Sequence, residues 1–130
     1  MKRKDGTAPM QDDCVFCRIV DGKSPADIVY EDDRVVAFRD ANPVAPLHIL
    51  VVPREHIPTL NDVPEGSDIV SHCGQTAAKI AEMFGVAESG YRVIINVNRG
   101  GGQVIFHLHV HVVSKSKPEP GRCPAPEKDK

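Results

Sequence analysis

Short runs rich in Val and Ile occupy residues 28–30, 35–38, 48–53 and 92–96, separated by Asp, Asn, Gly and Pro. Runs of that length between turn formers predict strands. A different period follows: Ile69, Val70, Cys73, Ala77, Ile80, Ala81 and Phe84 recur at helical spacing. Ser67 is placed to cap that helix at its start and Gly85 to end it. Residues 16–21 open a second, short helix, stopped within about two turns by Gly22-Lys23-Ser24-Pro25. After 92–96, a glycine-rich turn over 97–103 leads into residues 104–113, whose β-branched and aromatic content predicts a last strand. Strands first and last with one amphipathic helix between them predict an α+β domain, an antiparallel sheet covered on one face.

Length and charge narrow the picture. The 130 residues suffice for one core and not for two ordinary domains. Residues 1–12 and 114–130 mix Lys, Asp, Glu, Gly and Pro without periodicity and are expected to be flexible ends flanking a domain at 13–113. With 16 basic and 18 acidic residues the net charge is -2, so no global basic field attracts nucleic acid. No apolar run is long enough for a bilayer, and the polar start does not resemble a secretion signal, so no membrane partner and a cytoplasmic location are expected. Four cysteines in such a chain read as thiols or metal ligands before disulfides.

The chemistry concentrates in His107-Leu108-His109-Val110-His111-Val112-Val113. On a strand the three imidazoles share one face, with same-face neighbours roughly 6.5–7 Å apart. That spacing lets one imidazole attack a substrate while another handles a proton, because histidine titrates near neutral pH. A metal site or a merely polar face would produce the same spacing. Gly100-Gly101-Gly102-Gln103 just upstream lets backbone N–H groups approach an anion, which favours phosphorus chemistry. His48, in the apolar run before Pro53, could serve the same centre or be a structural residue.

These residues resemble the histidine-triad (HIT) family, whose signature alternates three histidines with apolar residues and ends on two more. Within it the chain is similar to the Hint branch, the purine nucleoside phosphoramidases. The segments Ile28-Val29-Tyr30-Glu31-Asp32-Asp33, Ala37-Phe38-Arg39-Asp40, Ala45-Pro46-Leu47-His48-Ile49, Ile57-Pro58-Thr59-Leu60-Asn61-Asp62 and Gly101-Gly102-Gln103 follow that branch's order. The resemblance covers about residues 13–113 and implies a HIT-like fold, one long helix and a short N-terminal helix on an antiparallel sheet, paired as a homodimer.

It also implies roles. His109 would be the nucleophile forming a nucleotidyl-histidine intermediate, and His111 would contact the phosphate and assist the leaving group. His48 would support the triad, and His107 would complete it. Asp40 would bind the ribose hydroxyls, with Ala41 beside it. Val15, Phe16 and Phe38 would contact the purine, while Asn96 and the backbone of Gly102, Gln103 and Val104 would hold the phosphate. From the residues alone, Asp40 could be a turn residue, Phe38 a core aromatic and Asn96 a strand end. Val104 departs from the polar residue many relatives carry there, so only its N–H can serve. The tail from Ser114 lacks the aromatic and glycine features common after the triad, leaving leaving-group preference open.

The implied reaction is hydrolysis of a purine nucleoside 5′-phosphoramidate to the monophosphate, with no catalytic cofactor. Dinucleoside polyphosphate hydrolysis, nucleotidyl transfer and a nucleotide-binding module with negligible turnover are the competing readings. Cys14-Val15-Phe16-Cys17 has the spacing of half a zinc site; two buried thiols or a redox pair would look the same. In bacterial relatives that share the pair, the resemblance completes the set with His56 and His107. A structural Zn²⁺ there would leave His109 and His111 free and take His107 out of any proton relay.

Overall fold

A computed structural model describes residues 13–118. Its elements are Val15–Val20 (α1), Ile28–Glu31 (β1), Val35–Arg39 (β2), Leu47–Pro53 (β3), Ile69–Met83 (α2), Arg92–Ile94 (β4) and Val110–Ser114 (β5), with short 3₁₀ turns at Leu60–Asp62 and Arg99–Gly101. The strands form one antiparallel sheet in the order β1-β2-β3-β5-β4. This is the expected α+β arrangement, with one long helix and one short one.

Both faces of the sheet are covered, where one was expected. Val35 and Ala37 of β2, Leu47, Ile49 and Val51 of β3, and Val110 and Val112 of β5 pack with Ile69, Cys73, Ala77, Ile80 and Ala81 of α2. The alternate residues Val36, Phe38, Leu50 and Val52 pack with Cys14, Phe16, Cys17 and Ile19 of α1 and its cap. The seven residues of β3 are therefore all buried. A strand buried on both sides reads as a continuous apolar run without alternation, which hides its second face from pattern analysis. At about 1.5–3 kcal/mol per buried aliphatic side chain, β3 is the strand most costly to disturb.

The α2 boundary lies one residue beyond the expected cap. Asp68 occupies the cap position, but its carboxylate accepts from Arg34 at 2.7 Å, and the Ser67 hydroxyl accepts the Ile69 N–H at 3.1 Å instead. Gly85, at φ 76°, ends the helix as expected. Asp32 accepts from the N–H groups of Arg34 and Val35, from the Tyr30 hydroxyl and from His72 Nε2. Burial opposes its ionisation, but these four donors hold its carboxyl well below the usual range. The β1–β2 turn is thereby tied to α2.

The last strand is half its expected length. Residues 104–109 lie outside β5, because their backbone groups are taken elsewhere: the Gln103 amide donates to Ile105 O and Leu108 N–H donates to Ile57 O. β-branched composition reports a preference for extended backbone and cannot report that competition. The expected sharing of one strand face by all three histidines is thus corrected, since only His111 stands in the ladder, opposite Leu50. Ser114, expected in the tail, belongs to β5; its hydroxyl donates to Gly90 O at 2.6 Å. β4 stops at Ile94, short of Asn96. Residues 1–12 and 119–130, including Cys123, lie outside the described residues. No helix among the described residues is long and apolar enough to cross a membrane.

Candidate active site

Antiparallel register sets His48 opposite Val113 and His111 opposite Leu50, so the two imidazoles are diagonal neighbours on the α1 side of the sheet. Their partners assign their protons. Val44 N–H donates to His48 Nδ1 at 3.2 Å, so that nitrogen carries a lone pair and Nε2 carries the hydrogen. His48 Nε2–H then donates to His111 Nδ1 at 2.9 Å, which leaves the His111 proton on Nε2. That last atom is buried and has no partner among the described residues. Burial, then the neighbouring His109 and His48, push the His111 pKa down to about 4, so this imidazole is neutral at neutral pH.

His109 is held in the opposite sense. Its Nδ1 lies 2.7 Å from His107 O, and a carbonyl only accepts, so Nδ1 carries the hydrogen and Nε2 the lone pair. Burial lowers its pKa, against the pull of the His107 carbonyl and Asp40, and keeps that lone pair available. The His109 and His111 rings are 4.9 Å apart, and the Phe16 ring meets His109 edge-on at 5.1 Å. Phe16 also packs on Phe38 at 5.4 Å, with Val15 against the same cluster. A lone-pair nitrogen and an N–H donor on adjacent buried rings can attack and stabilise an anionic centre without a change of tautomer.

Asp40 follows β2 and does two things. Its Oδ1 accepts from Asn42 N–H at 2.8 Å, the turn role, while Oδ2 lies 3.4 Å from His48 Nε2. Ala41 is exposed beside it. Asp40, His48 and His111 have ligand atoms close enough for a cation. The tautomers argue against one: a neutral imidazole ligating through Nε2 carries its proton on Nδ1, which in His48 would face the Val44 N–H donor.

The glycine-rich turn is fixed by Gln103. Asn98 has φ 59° and ψ 179°, a region costing about 1–3 kcal/mol for a side-chain-bearing residue. Asn98 N–H donates to Gln103 Oε1, and Asn98 O accepts from the N–H groups of Gly101 and Gln103. The Gln103 amide donates to Pro58 O and Ile105 O, so this buried side chain is committed to the loop. Gly102 N–H is taken by Arg99 O. Of the three backbone donors expected to meet a phosphate, Val104 N–H alone has no partner among the described residues, and its side chain is 84% exposed. Asn96 lies against Gly102, where an added Cβ would stand 4.0 Å from the Asn96 amide.

A second cluster lies on the far side of Phe16. Ligand atoms of Cys14, Cys17, His56 and His107, all buried, lie within 4.8 Å of one another. Cys17 Sγ is 3.1 Å from His56 Nδ1, and both sulfurs are 3.5 Å from His107 Nδ1. His107 Nε2 donates to Pro53 O at 2.8 Å, which leaves Nδ1 as a lone pair aimed at the thiols. A histidine pinned by a carbonyl at one nitrogen and presenting the other to soft ligands is the arrangement of a zinc ligand, and the donor set fits Zn²⁺. His107 faces this cluster, apart from the His109–His111 pair. Cys73 stands elsewhere under α2, its thiol pushed up to about 12 by burial.

The sequence did not point to Val44, whose backbone N–H fixes the His48–His111 tautomers, nor to Pro53 and Ile57 as anchors of the histidine segment. All three act through backbone atoms, which every residue type shares, so no side-chain pattern signals them.

A family model for the HIT domain matches residues 21–118. The purine nucleoside phosphoramidase of Escherichia coli K12 is 49% identical over 105 residues, covering 80% of this chain and 88% of that protein. A histidine triad protein from Clostridium difficile superposes with a TM-score of 0.79 at 50% identity, covering 84% of this chain and 96% of its own. A Zn-bound histidine triad family protein from Mycobacterium smegmatis does so at 0.73 and 32% identity, covering 85% of each.

Proposed function

The chain belongs to the HIT domain family, and on that premise we propose that this nucleotide hydrolase cleaves purine nucleoside 5′-phosphoramidates through a nucleotidyl-histidine intermediate. The observation that carries the reading is the opposed tautomers of the adjacent rings: a His109 Nε2 lone pair beside a His111 Nε2–H that has no partner among the described residues. The His109 nitrogen attacks phosphorus and forms an N–P bond. The P–N bond to the leaving amine breaks, its electron pair going to the amine nitrogen, which takes a proton. Water then attacks phosphorus, the pair of the N–P bond returns to His109 Nε2, and the monophosphate leaves. His111 Nε2–H donates to a phosphoryl oxygen; the substrate's negative charge raises the pKa of that imidazole, so the His48–His111 pair takes up one proton from solvent and passes it to the departing amine, and the attacking water releases one proton as the monophosphate forms.

Phe16, Phe38 and Val15 supply an apolar wall for the purine, and Asp40 Oδ2 an acceptor for the ribose hydroxyls, with Ala41 alongside. Asn96 and Val104 N–H face the phosphate end. Cys14, Cys17, His56 and His107 would hold a Zn²⁺, which would supply a cross-link apart from the reacting phosphorus; the Zn-bound relative supports that reading. A homodimer is proposed through the open edge of β4, where Val93 is half exposed; a monomer mass in sedimentation would reject it. Neither nucleic acid nor membrane is among the proposed partners. Reading Cys14 and Cys17 as thiolate ligands, and not as a disulfide, agrees with a cytoplasmic location.

The test of the function is turnover of a fluorogenic adenosine phosphoramidate, with rapid quench and mass spectrometry to capture the nucleotidylated protein. Binding without turnover would overturn it. The Asp40 assignment has its own test, because a charge-assisted hydrogen bond contributes about 1.5–3 kcal/mol. Asp40→Ala should cut the preference for ribo- over 2′-deoxyribo-substrates by about tenfold or more. The ratio of the two kcat/KM values is the measurement, since it cancels any general damage through His48. An unchanged ratio removes Asp40 from the sugar site.

A further inference from the structure

We propose that the Cys14–Cys17–His56–His107 cluster positions the nucleophile, so that its integrity sets kcat as well as stability. The inference rests on the proposed role of His109 and begins from the short β5. Were residues 104–113 one strand, His109 would be fixed by ladder hydrogen bonds to a neighbour. The ladder starts at Val110, and the segment carrying His107, Leu108 and His109 must be held by other means.

Its anchors are few and identifiable. Leu108 N–H donates to Ile57 O, one residue after His56. The His107 ring is fixed at both nitrogens, by Pro53 O at Nε2 and by the two sulfurs at Nδ1. The His56 ring packs edge-on against it at 5.1 Å. With the ring clamped, the His107 carbonyl is set, and that carbonyl is the acceptor holding His109 Nδ1–H at 2.7 Å. One residue thus joins the cluster through its side chain and the nucleophile through its backbone.

A second connection runs through Phe16, which sits between the two cysteines on the Cys14–Cys17 turn. Cys17 N–H donates to Cys14 Sγ at 3.3 Å and shapes that turn. The Phe16 ring touches His107 at 6.0 Å and His109 at 5.1 Å. Closing the cluster around Zn²⁺ therefore presses one wall of the His109 pocket into place while fixing the carbonyl that selects its tautomer. Misplacing a reacting group by about 1 Å can cost on the order of 10²-fold in rate, so modest slack at this cluster reaches the chemistry.

The experiment compares the full-length wild type, chelator-treated wild type, Cys17→Ser, His56→Ala and His56→Cys below their melting temperatures. The first readout is the nitrogen-15 NMR of the His109 ring, which reports the tautomer without substrate. The second is kcat and KM per folded molecule on an adenosine phosphoramidate. Expected on opening the cluster are a His109 signal moving toward a mixture of tautomers and a kcat lower by about 10- to 100-fold, with KM within about threefold. His56→Cys, which keeps a Cys₃His set for Zn²⁺, should recover both readouts where His56→Ala does not. An unchanged His109 tautomer in metal-free, folded protein overturns the proposal even if the substrate assignment stands. If the wild type turns over no phosphoramidate, the function fails separately and the NMR still decides the positioning. Should Cys17→Ser not fold, the chelated wild type and the His56 pair carry the comparison.

Discussion

His109→Ala should reduce phosphoramidate turnover by at least about 10³-fold, because the variant has no nitrogen from which to form the covalent intermediate. Nucleoside monophosphate affinity should stay within about tenfold, roughly 1.4 kcal/mol, since Phe16, Phe38 and Asp40 keep their places. His109 is 7% exposed, so the substitution leaves a hole beside Phe16 and costs some stability; activity is therefore to be normalised to folded protein. His111 cannot take over, because its Nδ1 accepts from His48 and its Nε2 carries the proton. The measurements are single-turnover kinetics, mass-spectrometric capture and calorimetric titration with the monophosphate. A variant retaining wild-type turnover would end the nucleophile assignment.

Cys14→Ser should lose zinc and melt on the order of 10 °C lower, the equivalent of about 2 kcal/mol in a domain of this size. The sign follows from what the metal ties together: the cap and first turn of α1, the segment after β3 and the residues before β5, three parts far apart in sequence. An unfolded chain presents no such ligand set, so binding energy adds directly to folding energy. Serine makes the test discriminating. Its hydroxyl can still accept the Cys17 N–H that Cys14 Sγ accepts, so in a protein that holds no metal the change would be close to neutral. Elemental analysis of protein purified without added metal gives the stoichiometry, and thermal unfolding of the variant the stability. Well under half an equivalent of zinc together with an unchanged melting temperature would return the pair to buried thiols and His107 to the catalytic relay.

Much of this was legible in the chain. Periodicity placed α2, β1 and β2 to within a residue or two, because a 3.6-residue apolar stripe and short Val-rich runs between turn formers each have one economical solution. The triad spacing, the CxxC pair and the isolated His48 were visible as residue types able to do acid–base, nucleophilic or ligand chemistry. Their division of labour was not. Which nitrogen of each imidazole carries its proton depends on Val44 N–H, His107 O and Pro53 O, backbone groups that the topology delivers. Gln103 was legible as the end of a phosphate loop, but not as the side chain that holds the loop's strained Asn98.

Local sequence thus determined the elements and the chemical inventory, because backbone preference and side-chain reactivity are properties of neighbours along the chain. Tertiary structure decided where β5 begins, that α1 covers the second face of the sheet, and that His107 turns toward the cysteines while His109 and His111 meet each other. The physical reason is competition for hydrogen bonds. Residues 104–109 had a strand's composition, but Ile105 O, Leu108 N–H and the His107 ring found partners on Gln103, Ile57 and Pro53, and the last two, distant in sequence, come within reach only once the chain has folded.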